Sequence, residues 1–97
     1  MILIIGGRGA GKREFATTLG CDPGKTLPAL HKLEPLPHLK ELLNYEAVIC
    51  DEVGCGVVPM ERHDRERREV IGRLCCQLAQ EAQAVYRLQC GLAMRLK

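Results

Sequence analysis

Aromatic side chains are scarce in this chain: it has no tryptophan, and its two tyrosines and one phenylalanine make up 3% of the 97 residues. Proteins that bind single-stranded nucleic acid stack the bases on aromatic platforms, which this composition does not supply. The net charge of +2 is also too small to create a field that draws nucleic acid or an anionic membrane. We therefore expect neither nucleic acid nor a lipid surface among the partners.

Long hydrophobic runs are missing as well. No apolar stretch approaches the ~20 residues that a membrane-spanning helix needs. Met1 leads directly into a strand-like run, without the charged region and cleavage site of a secretory leader. We therefore expect a cytoplasmic protein with one domain over residues 1–97. So short a chain has a modest core, which oligomerisation would supplement.

The cysteines do not form a C-x-x-C pair, so the spacing favours neither a zinc site nor, in a cytoplasmic context, a disulfide framework. We expect them to behave as small buried hydrophobic residues. The six are Cys21, Cys50, Cys55, Cys75, Cys76 and Cys90.

Short apolar runs alternate with helical patterns along the chain. Residues 1–5 (MILII), 45–50 (YEAVIC) and 84–90 predict strands, the first two buried on both faces. Residues 12–19 and 61–82 predict helices, the second with an apolar stripe at three- and four-residue steps. This order predicts an α/β fold of the P-loop NTPase type, with a small parallel sheet flanked by helices.

Two further segments are less regular. Residues 21–37 hold four of the five prolines and predict a loop with a short extended piece near Thr26 and Leu27. Residues 38–43 predict a short helix.

The apolar stripe of the long helix consists of Val70, Ile71, Leu74, Cys75, Leu78, Ala79 and Ala82. The first half of this helix is charged all round and predicts a face exposed to solvent, a partner or a ligand.

A glycine-rich loop joins the first strand to the first helix. It reads Gly6-Gly7-Arg8-Gly9-Ala10-Gly11-Lys12, which satisfies G-x-x-x-x-G-K in the strand–loop–helix context where that pattern predicts phosphate binding. Glycines let backbone N–H groups point inward around the phosphates, and Lys12 would reach the β- and γ-phosphates. The alternative is a glycine-rich turn with an incidental lysine.

The residue after that lysine departs from the pattern. A serine or threonine hydroxyl is expected there to bind Mg²⁺, but the residue is Arg13, which cannot ligate a cation. Three alternatives follow: the metal is held otherwise, Arg13 supplies charge in its place, or catalysis is lost while binding survives.

Two acidic residues, Asp51 and Glu52, close the second strand. In P-loop proteins an acid at the end of a neighbouring strand orients Mg²⁺ or a water molecule, and open α/β sheets bind ligands at these strand ends. Asp51 is therefore a candidate metal ligand, and both acids are candidate catalytic residues. An ordinary solvated acidic turn is the alternative.

A more specific pattern follows at residues 52–59, E-V-G-C-G-V-V-P. It resembles the N-E-V-G-x-G-I-V-P motif of the adenosylcobinamide kinase / adenosylcobinamide-phosphate guanylyltransferase family. The N-terminal loop and residues 33–36 (LEPL) resemble further segments of that family. The likeness continues in register to the end of the chain, at Arg62, Arg65, Arg68, Glu69, Gly72, Leu78, Ala79, Gly91, Leu92, Leu96 and Lys97.

The resemblance implies a role in cobalamin biosynthesis. Members of the family phosphorylate the side-chain hydroxyl of adenosylcobinamide with a nucleoside triphosphate, then transfer GMP from GTP through a covalent guanylyl-histidine, and they form oligomers. For this chain it implies bound GTP or ATP with Mg²⁺, adenosylcobinamide as a further ligand, and a homo-oligomer. Lys12 would clamp the phosphates, and Asp51 or Glu52 would hold the metal or act as a base.

The chain also departs from the family. It lacks most of the segment that carries the guanylylated histidine, and His31 is the candidate for that histidine, with a loop histidine of no role as the alternative. Asp51 replaces an asparagine, Arg13 a serine and Arg67 an aromatic residue, while Cys75 and Cys76 replace an Asn-Gln pair. These changes affect catalysis more than they affect the fold.

Three functional hypotheses remain open from the sequence. The first is a minimal kinase or guanylyltransferase, in which Arg62, Arg65 and Arg68 neutralise phosphate or contact a neighbouring subunit. The second is a catalytically degenerate relative that binds nucleotide as a regulatory protein. The third is a structural partner of a full-length enzyme. The alternative interpretation of these three arginines is that they form a solvated helix face and pair with nearby glutamates.

Overall fold

A computed structural model of the chain describes residues 1–51 and 62–97, the side chain of His63 excepted. The strands are β1 (Ile2–Gly6), β2 (Thr26–Leu27), β3 (Ala47–Asp51), β4 (Ala84–Gln89) and β5 (Leu92–Arg95). The helices are α1 (Lys12–Thr18), α2 (Leu39–Leu42) and α3 (Arg62–Glu81), with 3₁₀ turns at Pro23–Lys25 and Leu30–Lys32.

The strands form one sheet in the order β2-β3-β1-β4-β5. The first four in that order run parallel, and β1 lies at the centre, with Ile4 opposite Ile49 of β3 and Tyr86 of β4. Strands β1 and β3 are continuous apolar runs because both of their faces are covered. The predicted α/β fold with a small, mostly parallel sheet is confirmed.

Two hydrophobic clusters hold the layers together. In one, Leu3, Val48 and Val85 pack with Ile71 and Leu78 of α3. In the other, side chains on the opposite face of the sheet pack against α1. The rings of Phe15 and Tyr86 contact edge to face in this cluster, with centroids 4.9 Å apart. The first cluster packs α3 against the sheet, and the second packs α1 against it.

The prediction of the apolar stripe of α3 was wrong for one of its residues. Val70 is 51% exposed, whereas Ile71 and Leu78 are buried. Each residue turns the helix by about 100°, so position 70 lies well to one side of a stripe centred on positions 71, 74 and 78.

The cysteine prediction holds only in part. Cys50 is buried in the core and Cys75 packs against it, but Cys76 and Cys90 are exposed. Cys76 is turned away because it follows Cys75 on a helix that presents one face to the sheet. The five cysteines within the described residues are all free thiols.

The C-terminal residues form a strand, β5, that the sequence did not predict. Strand β5 pairs antiparallel with β4, from Tyr86 opposite Arg95 to Gln89 opposite Leu92. Cys90 and Gly91 both have left-handed backbone angles, with φ of 51° and 75°, and such a pair makes the tight two-residue turn of a hairpin. Among the described helices, none combines the length and apolar content needed to cross a membrane.

Candidate phosphate-binding site

The glycine-rich loop lies between β1 and α1, as predicted. Gly11 precedes the helix with φ of 88°, a left-handed conformation that a residue with a Cβ adopts only under strain. Gly6 has a different constraint: a Cβ there would lie 2.6 Å from the backbone oxygen of Leu88. The loop is thus shaped by glycines at its two ends.

Lys12 is the buried cation of the site, with 8% of its side chain exposed. Its Nζ donates to the carbonyl oxygen of Gly7 at 2.7 Å and lies 2.9 Å from Oδ1 of Asp51. A buried ammonium group requires such partners, because leaving it without them costs several kcal/mol of desolvation energy. The pair joins the start of α1 to the end of β3.

His31 is the second group that contacts Asp51. Its Nδ1 accepts a hydrogen bond from the backbone N–H of Asp51 at 3.1 Å, and its Nε2 lies 3.3 Å from Oδ2 of the same residue. An Nδ1 that accepts is unprotonated, so the neutral ring carries its proton on Nε2 and donates it to the carboxylate. Both ring nitrogens are therefore committed to one residue.

The charges of the two groups follow from their surroundings. Burial lowers the pKa of His31 below its ordinary 6.5, and this outweighs the opposing attraction of the Asp51 carboxylate. Burial acts to raise the pKa of Asp51, but the hydrogen bond from Lys12 and the neighbouring His31 leave it below its ordinary 3.8. At neutral pH the carboxylate is ionised, the imidazole is neutral, and Lys12 is the cation that balances Asp51.

These side chains line a cleft of about 530 Å³ at the carboxyl ends of the parallel strands. Arg8, Lys12, Arg13 and Lys32 contribute positive charge to it, against the two carboxylates of Glu14 and Asp51. One wall is made by Pro28, Ala29 and Ile49. The volume falls within the range of small-molecule sites, and the excess of cations favours an anionic ligand.

The predicted binding residues share this cleft. Residues 8–13 all line it, whereas Gly6 ends β1 and Gly7 takes part through its carbonyl oxygen. Among the candidate catalytic residues, Lys12, His31 and Asp51 come together, and Glu52 lies outside the described residues together with the rest of the E-V-G-C-G-V-V-P block. His31 is 20 residues from Asp51 along the chain, and no sequence pattern predicts their contact.

The arginines of α3 divide into two kinds. Arg62 is 86% exposed and pairs with Glu66 at 2.9 Å one helical turn on, which agrees with the solvated-face alternative. Arg67, which the sequence marked only as a replacement for an aromatic residue, instead donates to the backbone oxygens of His31 and Leu33. A charged run in a sequence does not show which of its arginines turns toward the protein.

The fit of Mg²⁺ depends on Asp51. Among residues 1–51 and 62–97, no group of three or more His, Cys, Asp or Glu side chains gathers as a metal cluster. Mg²⁺ is commonly held by one or two carboxylates, phosphate oxygens and water, and Asp51 can supply one carboxylate if Lys12 moves to a bound phosphate. Arg13 offers no oxygen to the ion.

The sheet order, the loop and the strand-end carboxylate define an α/β protein of the P-loop type. A comparison with protein families matches residues 31–96 to cobinamide kinase / cobinamide phosphate guanyltransferase (CobU). The chain belongs to this family. The matched region contains His31, Asp51 and Arg67 and begins after the glycine-rich loop. No curated protein matches the chain significantly.

Proposed function

We propose that this chain binds a nucleoside triphosphate, GTP or ATP, with its phosphates against the glycine-rich loop and Lys12. The observation that carries the proposal is the buried Lys12, which sits between Gly7 and Asp51 at the base of a cation-lined cleft. Phosphate oxygens are stronger partners for an ammonium group than a backbone carbonyl is, because the hydrogen bonds are charge-assisted on both sides. On binding, Lys12 would therefore exchange the Gly7 carbonyl for phosphate oxygens, whose several negative charges also compete with the single charge of Asp51 for the ammonium group.

When Lys12 moves to the phosphates, Asp51 is left with a free carboxylate oxygen. Its Oδ1 loses the ammonium group while Oδ2 stays hydrogen-bonded to the Nε2 proton of His31. We propose that the freed oxygen faces a Mg²⁺ ion on the phosphates, which would neutralise developing charge in a transfer reaction. His31 orients this carboxylate, and because both of its ring nitrogens are occupied, a guanylyl group on His31 would require those hydrogen bonds to break.

Family membership supplies the proposed reaction. The family's activities are those of a cobinamide kinase and a cobinamide phosphate guanyltransferase. We propose that this chain takes part in cobalamin biosynthesis in the cytoplasm, as a homo-oligomer that uses adenosylcobinamide as acceptor. Transfer from a bound nucleotide to a hydroxyl relies mainly on positioning and charge neutralisation, which Arg8, Lys12 and Arg13 can provide.

A catalytically degenerate nucleotide-binding protein is the second candidate, and Arg13 is the residue that favours it. Its side chain is exposed at the cleft where a P-loop carries the hydroxyl that binds the metal. A guanidinium can bind phosphate without activating it for transfer, since it adds charge but does not position the ion. Binding would then serve regulation or a partner chain.

Incubation with labelled ATP or GTP, Mg²⁺ and adenosylcobinamide separates the two candidates. If the chain is an enzyme, label appears on cobinamide or its phosphate, and Lys12→Ala abolishes it. If the chain only binds, calorimetry shows nucleotide affinity that depends on Lys12, with no labelled product from either protein. Absence of both binding and transfer would refute both candidates.

A further inference from the structure

The guanidinium of Arg67 joins α3 to the turn that carries His31. Its Nη2 donates to the backbone oxygen of His31 at 3.2 Å and also to that of Leu33. Its Nη1 lies 3.9 Å from a carboxylate oxygen of Glu34, but Glu34 is 70% exposed, so water screens this pair. The two carbonyl contacts are therefore the stronger link.

The carbonyls of His31 and Leu33 lie at the end of a short 3₁₀ turn, and the hydrogen bonds of that turn do not use them. Leu30–Lys32 is a single 3₁₀ turn, in which the N–H of Leu33 bonds back to the oxygen of Leu30. The last carbonyls of a helical turn accept no hydrogen bond from within the turn, and a basic side chain can donate to them. Arg67, with 23% of its side chain exposed, holds the end of this turn in place.

This 3₁₀ turn places His31 beside β3. Strand β2 pairs with β3 only at Ala47 and Val48, so it stops short of the carboxyl end of β3. Beyond that point, the backbone N–H of Asp51 donates to His31 Nδ1. The imidazole thus takes the position of a missing strand partner, and Leu30, which is fully buried, anchors the turn from below.

We infer that Arg67 is a positioning residue of the phosphate-binding cleft: by fixing the turn at Leu30–Lys32 it keeps His31 on Asp51, and so keeps the Asp51 carboxylate aimed at Lys12. The inference rests on the proposed function for its role in nucleotide binding. Its structural part, the chain of contacts from Arg67 through His31 to Asp51, does not depend on any ligand. The two N–H groups of Nη2 serve the two carbonyls, and a methionine side chain at this position could donate to neither.

Amide hydrogen exchange at Asp51 tests the inference directly, because that N–H has His31 as its partner. We compare the wild-type chain with Arg67→Lys, Arg67→Met and His31→Ala, and with Arg73→Met as the control, an exposed arginine on the same helix. Exchange at Asp51 should accelerate roughly tenfold in Arg67→Met and His31→Ala, which corresponds to the loss of one hydrogen bond. Arg67→Lys should accelerate less, because an ammonium group can still donate to both carbonyls. Ile49, within the paired part of β3, should keep its protection in all of them.

The failure to accelerate in both Arg67 variants would overturn the inference, even if their melting temperatures fall, because Arg67 would then stabilise the fold without acting on His31. Acceleration in Arg67→Met with none in Arg67→Lys would support the carbonyl contacts, because an ammonium group can donate to both oxygens.

The role in the cleft is tested by calorimetry with ATP and Mg²⁺ on the same proteins. We expect Arg67→Met to bind several-fold more weakly than wild type and Arg73→Met to bind equally. Equal affinity in Arg67→Met would refute the role in binding. If the wild type itself binds no nucleotide, the proposed function fails, and the positioning of Asp51 is still decided by the exchange rates.

Discussion

The Nζ of Lys12 lies 2.9 Å from Oδ1 of Asp51, so the first residue of α1 is tied to the last residue of β3 by a charged pair. Both side chains belong to the cleft, and one of them, Lys12, is 8% exposed. The lysine of the glycine-rich loop is therefore neutralised by an internal carboxylate. Several measurable properties depend on this arrangement.

Removal of the carboxylate should destabilise the chain. In Asp51→Ala the Lys12 ammonium keeps only its bond to Gly7, and the His31 ring loses a partner, so we expect the free energy of unfolding to fall by about 1–2 kcal/mol. Urea denaturation measures the change. Glu41→Ala, an exposed carboxylate on α2, is the control and should differ from wild type by much less. Equal stability of the two variants would contradict the account.

Stability should decrease as the pH falls. The pKa values of His31 and Asp51 are both lower in the folded chain than their ordinary 6.5 and 3.8, so the unfolded state binds more protons than the folded state does. The stability that His31 contributes is present above pH 6.5 and is lost as the pH drops through its lowered folded value. The loss from Asp51 begins below pH 3.8.

His31→Gln isolates the first of these two contributions. Glutamine does not titrate, so urea denaturation of this variant should show a flatter dependence on pH between neutrality and mild acid than the wild type shows. The dependence at lower pH, which Asp51 contributes, should remain. A variant with the wild-type slope just below pH 6.5 would show that His31 does not titrate between the folded and unfolded states as described.

Two adjacent glycines should respond differently to alanine. Gly6→Ala places a Cβ 2.6 Å from the backbone oxygen of Leu88, and neither backbone can move without disturbing the pairing of β1 with β4. We expect a loss of roughly 1–3 kcal/mol, as for overpacked cores. In Gly7→Ala no atom lies within 4 Å of the new Cβ, so its thermal unfolding should stay close to wild type. Similar losses in both would contradict the packing described.

The substitution Arg13→Ser tests the metal. It restores the hydroxyl that P-loops use to bind Mg²⁺ and removes one cation from the cleft. We expect nucleotide binding by the variant to depend more strongly on Mg²⁺ than binding by the wild type does, in calorimetric titrations with and without the ion. An identical Mg²⁺ dependence would show that Arg13 does not stand in for the metal contact.

The elements that sequence alone predicted are those with local causes. Strand β1 and helices α1 and α3 each follow from a continuous or periodic apolar pattern within one segment. Strand β5 was missed because all four of its residues are exposed, so no buried face revealed it.

Local patterns predicted the loop of the candidate site and, from its place at a strand end, Asp51, but not the contacts of His31 and Arg67. The residues of the G-x-x-x-x-G-K pattern are contiguous, so their joint role can be recognised from spacing. The contacts of His31 with Asp51 and of Arg67 with the His31 turn span 20 and 36 residues of chain. They depend on how the 3₁₀ turn packs between β3 and α3, which no local pattern encodes.

Calorimetric titration of ATP and GTP into the wild-type chain and Lys12→Ala decides whether Lys12 holds the nucleotide. Lys40→Ala, which removes an exposed lysine on α2, is the matched control for the lost charge. We predict that wild type and Lys40→Ala bind at least one of the two nucleotides equally well, and that Lys12→Ala binds about 10- to 100-fold more weakly. Equal affinity of Lys12→Ala and wild type, or no binding by the wild type at millimolar nucleotide, would contradict it.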